Sequence, residues 1–188
     1  MRSEDTIKDE TATTTPGVFA KMRAGRLWRW GKEIALMLLI FGAVSAWQTR
    51  GLIGRAEAAP DVALMSMSGE QTTLKALSGK KTVLVLWAPW CGVCKAEVGQ
   101  LNALAGSLGD DAQLVSVALS YEAQADVQRF IDDHGVRYPV LLGDRRAVRA
   151  LRVSAYPTTY ILDAQGRVTH SMVGYTTSWG IRARLWLA

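Results

Sequence analysis

The chain has 188 residues, a formal net charge of +5, 49% hydrophobic and 21% charged residues, two cysteines and two histidines. That length suits one domain of ordinary size plus an extension, and the apolar fraction excludes a wholly disordered chain. The charge is spread out, with seven Lys/Arg against five Asp/Glu in residues 1–33 and fifteen against twelve in 34–188, so no basic stripe points to nucleic acid; no phosphate loop, nucleotide fingerprint or internal repeat occurs.

Residues 1–17 are polar and rich in Thr, Asp and Glu, and read as a tail. Lys21, Arg23, Arg26, Arg29 and Lys32 then supply five positive charges without an acid, with Trp28 and Trp30 among them. An apolar or small run follows from Ile34 to Trp47. At fourteen residues it is short for a membrane span, but a helix from Trp30 to Trp47 rises roughly 26 Å, near the hydrocarbon thickness. Tryptophans at both ends suit an aromatic belt, and basic residues on the N-terminal side alone keep that end cytoplasmic and export residues from about 50 onward. The expected division is a cytoplasmic basic tail (1–33), a transmembrane anchor (34–50), a linker (51–60) punctuated by Gly51, Gly54 and Pro60, and a domain over 61–188. Two other readings of the apolar run stay open. One is a cleaved signal peptide with Ala56-Glu57-Ala58 as its site, although that site lies well past the apolar core. The other is a buried helix of a soluble domain.

Within 61–188, Val62–Met67 reads as a first strand, Ser68-Gly69-Glu70 as a turn, and Thr72–Leu77 as a strand running into a loop. Thr82–Trp87 is a β-branched central strand. Ala96, Val98, Leu101, Leu104 and Leu108 keep a helical rhythm, and Gln113–Leu119 suits a buried parallel strand. A helix over 122–134 should turn Ala125, Val127, Phe130 and Ile131 inward and stop at Gly135. Tyr138–Leu142 is a short strand, Asp144 can cap a helix over 145–151, and Arg145, Arg146, Arg149 and Arg152 read as a solvated face, with an acidic partner or lipid surface as the alternative. A hairpin turns at Asp163–Gly166, and a last helix carries Trp179, Ile181, Leu185 and Trp186. The order strand–helix–strand–helix–strand–hairpin–helix gives an α/β three-layer domain with a central mixed sheet.

Both cysteines lie in Trp87-Ala88-Pro89-Trp90-Cys91-Gly92-Val93-Cys94-Lys95-Ala96-Glu97, where the central strand hands over to a helix. The thiolate is the attacking species in disulfide exchange, and the unsatisfied N–H groups and dipole of a helix N-terminus favour an anion. Cys91 is therefore the expected nucleophile with a lowered pKa. Cys94, one turn deeper, is placed to resolve a mixed disulfide or to close a short Cys91–Cys94 ring on oxidation. A zinc half-site would need His134 and His170, which lack ligand spacing. A static disulfide and a pair of inert core thiols are the remaining alternatives. Glu97 stands one turn beyond Cys94. If buried, its carboxyl would titrate high enough to serve as acid and base; if exposed, it is an ordinary helix glutamate.

Trp-x-x-Trp-Cys-x-x-Cys-Lys at 87–95, with the later Tyr156-Pro157-Thr158, resembles the thioredoxin superfamily over roughly 61–188. Cys-x-x-Cys-Lys-Ala-Glu and the extra helix before the Tyr138 strand are similar to its membrane-tethered, exported branch, which includes the cytochrome c maturation reductases and TlpA- and DsbE-like proteins. The anchor and the ending Gly174-Tyr175-Thr176-Thr177…Leu185-Trp186 resemble the suppressor-of-copper-sensitivity D proteins. The resemblance implies a thioredoxin-like fold, a cis bond before Pro157, substrate contacts from Trp90, Tyr156 and Pro157, and proton transfer by Glu97. Two positions depart from small thioredoxins: Val85 replaces a buried acid, and Val93 replaces a proline between the cysteines.

The expectation is a single-pass inner-membrane protein whose periplasmic domain exchanges a Cys91/Cys94 dithiol with protein disulfides in the reducing direction. It would be recharged by an upstream membrane thiol donor and need no metal or organic cofactor. Apocytochrome c thiol reduction, a copper-binding or copper-tolerance module on the same cysteines, and a non-catalytic tethered adaptor are the alternatives.

Overall fold

The computed structural model describes residues 18–49 and 51–188, with side chains from residue 30 apart from positions 45 and 47–50. The expected tail over 1–17 lies outside the described residues. The chain divides into two compact units, Met1–Ser45 and Ala46–Ala188. The described residues of the first, from Val18, lie in helix α1, Val18–Thr49. The apolar side chains described on it are exposed, from Ile34 (54%) and Met37 (71%) to Phe41 (72%). Among the described residues no helix is long and apolar enough to cross a membrane.

The second unit is a three-layer α/β domain. Its strands are β1 Ala63–Ser66, β2 Gln71–Thr73, β3 Lys81–Trp87, β4 Ala112–Ala118, β5 Val140–Leu142, β6 Thr158–Leu162 and β7 Val168–Val173. Its helices are α2 Gly92–Ala105, α3 Gln124–His134, α4 Arg145–Ala150 and α5 Ser178–Trp186. The strands form one mixed sheet in the order β2-β1-β5-β4-β3-β6-β7. Central β3 pairs parallel with β4 (Val83 with Leu114, Trp87 with Ala118) and antiparallel with β6 (Val83 with Ile161). A strand in that position is covered on both faces, which is why Thr82–Trp87 is buried at every residue.

Alternation along the strands separates two cores. On one face Val83, Val85, Leu114 and Ile161 pack with Leu101 and Leu104 of α2 and Ile181 and Leu185 of α5. Nearer the strand ends on this face, Trp87, Ala118 and Leu142 meet Val98 of α2 and Val127 and Phe130 of α3. On the other face Leu84, Leu86, Val117, Tyr160 and Leu162 pack with Ala147 and Leu151. Each leucine fully withdrawn from water stabilises the fold by about 1.5–3 kcal/mol.

Local signals end the elements where the residues dictate. Gly135 closes α3 in a left-handed conformation (φ 62°), and the Asp144 carboxylate accepts from the N–H groups of Arg146 and Ala147 at the start of α4. Thr72–Leu77, expected as a strand, pairs only to Thr73 and then winds into a 3-10 turn over Leu74–Leu77, whose Leu74 is buried. Ala125, expected inward, is exposed. Two residues before Val127 it sits about 200° around the helix from it, so the buried face is set by Val127 and Phe130.

The segment read as a linker, 51–60, is packed. Leu52 and Ile53 are 5% and 2% exposed and belong to the core. The Ile53 carbonyl accepts from Ser171 Oγ (3.0 Å), and its N–H donates to the Tyr160 hydroxyl, which itself donates to the Leu151 carbonyl (2.8 Å). Ala56 N–H donates to the Val168 carbonyl, Val168 N–H to the Glu57 carbonyl, and Ala58 bridges Arg167, so this segment runs along the outer side of edge strand β7. Glu57 pairs with Arg152 at 2.7 Å.

Gly143, between β5 and α4, is buried, and a Cβ there would lie 2.6 Å from Leu119 Cδ2 and 3.1 Å from Val117 Cγ1 and Ala147 Cβ. Gly143→Ala is expected to destabilise the domain by about 1–3 kcal/mol through overpacking, read as a lower urea midpoint at unchanged slope.

Candidate active site

The site begins where β3 ends. Trp87, Ala88 and the turn through Pro89 and Trp90 deliver Cys91 as the N-cap of α2, with its backbone extended (φ −82°, ψ 106°). The cysteines are joined as a disulfide, with Cα atoms 5.3 Å apart. Cys91 is 7% and Cys94 4% exposed. The Cys94 N–H donates to Cys91 Sγ at 3.1 Å. One of the orphan donors of the helix mouth is thus aimed at this sulfur, a geometry that favours negative charge on it.

Glu97 is fully buried. Cys94, Glu97, Val98, Leu101 and Leu104 form the covered stripe of α2, so the three-residue spacing places Glu97 on the same face as Cys94. Its Oε1 accepts from the Thr176 N–H at 2.8 Å, while Oε2 has no hydrogen-bond partner among the described residues. Burial pushes the carboxyl up to about 7, against the opposing pull of the Thr176 N–H. Tyr138, on the same side of the sheet, is raised above its usual range by burial and then by the charge of Glu97. A carboxyl divided between its two forms near neutrality, one turn from Cys94, can both take and return a proton. Val85, at the position of the missing acid, is buried among apolar side chains.

The third part is the loop before β6. Tyr156-Pro157 is a cis peptide bond, Pro157 is buried, and Tyr156 packs against the cluster that contains both cysteines. Trp90, 68% exposed, meets the Tyr156 ring edge-on at 5.5 Å between centroids. Cys91, Cys94 and Tyr156 thus gather in one cluster, with Trp90 against Tyr156 and Pro157 next in the chain, while Glu97 lies behind on the inner face of α2. A groove of about 380 Å³ opens beside Trp90, lined by Pro89, Tyr121 and Phe130 together with charged residues of both signs, Glu122, Arg129 and Asp133 among them. No group of three or more His, Cys, Asp or Glu among the described residues is arranged to hold a metal ion.

Two residues of the site carry no sequence signal of their role. Thr176 supplies a backbone group, which any residue type has. Ser120, after β4, adopts φ +50°, a conformation rare outside glycine and asparagine. Its carbonyl accepts from Trp90 Nε1–H at 2.8 Å, and its hydroxyl lies 2.9 Å from the Tyr156 hydroxyl.

Comparison with known proteins agrees with this geometry. Residues 56–171 match the AhpC/TSA family. The chain is 31% identical over 157 residues to the thioredoxin-like protein YneN of Bacillus subtilis, covering 79% of this chain and 92% of that one. It is 31% identical over 145 residues to the thiol-disulfide oxidoreductase ResA of the same organism, covering 76% and 79%. Among solved structures, a putative thiol:disulfide interchange protein DsbE from Chlorobium tepidum superposes with a TM-score of 0.64 at 25% identity, covering 71% of this chain and 99% of that one. With a redox-competent cysteine pair at a helix mouth and the family match over most of the domain, this chain belongs to the AhpC/TSA family and is a thiol-disulfide oxidoreductase of thioredoxin-like fold.

Proposed function

We propose that the chain is a membrane-tethered reductase of protein disulfides whose domain works outside the inner membrane. The Cys91 thiolate attacks one sulfur of a partner disulfide, and the partner's other sulfur leaves as a thiolate and takes a proton. Cys94, its proton passed to Glu97, then attacks Cys91 Sγ and releases the second partner thiol. Two electrons have moved to the partner, and the chain ends with the Cys91–Cys94 bond found here. An external dithiol donor must return the pair to its reduced form, since the periplasm is kept oxidising.

The observation that carries the exchange chemistry is the fully buried Glu97 carboxyl on the same face of α2 as Cys94, because a proton acceptor at that depth serves the second step. The tether is supported by the exposed apolar side chains of α1 from Ile34 to Val44 and by the one-sided basic cluster before them.

A Cys94→Ser chain in membranes tests the chemistry, since it should hold its partners as mixed disulfides identifiable after reduction. Measuring the potential of the pair against glutathione tests direction, and a value as oxidising as that of a disulfide donor would reverse the assignment. Carbonate extraction and protease protection of the full chain test the tether; a chain released by carbonate or protected inside the cell overturns it.

A further inference from the structure

The rim beside the disulfide is built from three separate loops. Trp90 comes from the turn after β3, Tyr156 from the loop before β6, and Ser120 from the end of β4. The first two are an exposed and a half-buried aromatic ring in edge-to-face contact. Alone, that contact leaves the indole free to swing, because Trp90 is two-thirds exposed. Ser120 removes the freedom from both sides, its carbonyl fixing the indole N–H and its hydroxyl meeting the Tyr156 hydroxyl. It does so from a left-handed backbone conformation that a serine rarely adopts. The preceding residue explains how that conformation is held: Leu119 is fully buried, and its N–H donates to the Trp87 carbonyl at 2.8 Å, so the chain enters Ser120 from an anchored point. An outlier of this kind, beside the reacting bond and tied to two rim side chains, points to function.

We propose that Ser120 is a positioning residue that locks Trp90 and Tyr156 into one rigid rim beside Cys91, and that this rim selects extended polypeptide disulfides over small ones. A polypeptide spans the disulfide and the rim together, and a fixed aromatic pair spares it the cost of ordering those side chains on binding. A small disulfide reaches Cys91 without using the rim. The proposal rests on the reductase reading above and adds a basis for substrate choice.

The test compares Ser120→Ala, Tyr156→Phe and the double variant in the full chain, with insulin as the polypeptide disulfide and 5,5′-dithiobis(2-nitrobenzoate) as the small one. One neutral hydrogen bond corresponds to about a 2- to 12-fold effect. Each single variant should raise KM for insulin by about that factor, the double variant should be no worse than either single, and Ser120→Ala should keep kcat for insulin and the wild-type rate on the small disulfide. Both variants keep the Ser120 carbonyl but remove the tie from its hydroxyl to Tyr156 that helps to place it, so hydrogen exchange of the Trp90 indole N–H, assigned by its loss in Trp90→Phe, should quicken in each. Additive losses, equal losses on both substrates or unchanged indole exchange would overturn the proposal. A wild-type chain that turns over neither disulfide would sink the reductase reading instead, and the indole exchange would still decide whether Ser120 holds the rim.

Discussion

Replacing Cys91 with serine is expected to lower kcat/KM for a protein disulfide by on the order of 10³ or more, because a hydroxyl at this site is neither acidic enough nor nucleophilic enough to attack sulfur. The same change should do little to the fold. The disulfide closes a ring of sequence separation 3, and so short a loop contributes at most about 2 kcal/mol by chain entropy. Cys94→Ser should behave differently: the first attack proceeds, the second cannot, and a covalent adduct accumulates on a non-reducing gel and disappears with dithiothreitol. The asymmetry is what separates a catalytic pair from a structural one. Were the bond structural, both substitutions would cost stability alike and neither would trap a partner.

The second large effect concerns Glu97. Its carboxyl titrates near 7 in the folded domain against 4.5 unfolded, so the folded state holds the proton more tightly. Stability from this group is therefore complete below pH 4.5 and is lost as pH rises through about 7. The gap corresponds to about 3 kcal/mol at 1.36 kcal/mol per pH unit. Glu97→Gln keeps an oxygen for the Thr176 N–H and carries no charge. The variant should be the more stable of the two at pH 8, nearly equal at pH 4.5, and flatter between. Its resolving step should be slower by about 10²-fold at neutral pH, the usual size of a lost proton acceptor. Urea melts of both proteins across that pH range, with single-turnover kinetics, read both halves. Parallel stability curves would mean that Glu97 ionises like an exposed carboxylate.

Much of the site was legible because it depends on backbone rules that residues announce. A β-branched run followed by Cys-x-x-Cys and a helical rhythm places Cys91 at a helix mouth without reference to anything distant, and it is the N-cap. Asp144 and Gly135 act the same way, through a carboxylate that caps and a glycine that tolerates positive φ. What could not be read depends on contacts remote in the chain. The spacing of Glu97 fixes its helix face but not its burial, which depends on the loop that brings up Thr176, 79 residues later. Ser120 is an unremarkable residue whose role comes from Trp90 and Tyr156, 30 and 36 residues away. Leu52 and Ile53 sit among glycines and an Ala-rich stretch that resemble a spacer, yet they complete the core beside Tyr160.

That last feature bears on edge-to-edge pairing between sheets. A sheet's outermost strand offers unpaired amides to any neighbour in the same state, and β7 holds that place at one side. Residues 56–58 occupy the start of that side, and Ser171 farther along is held by Ile53. A chain severed after Ala58 would therefore shed more than an extension: two core side chains would leave, Arg152 would lose Glu57, and the start of a strand would lie open to solvent. Such a fragment should form β-rich oligomers at lower concentrations than the intact protein.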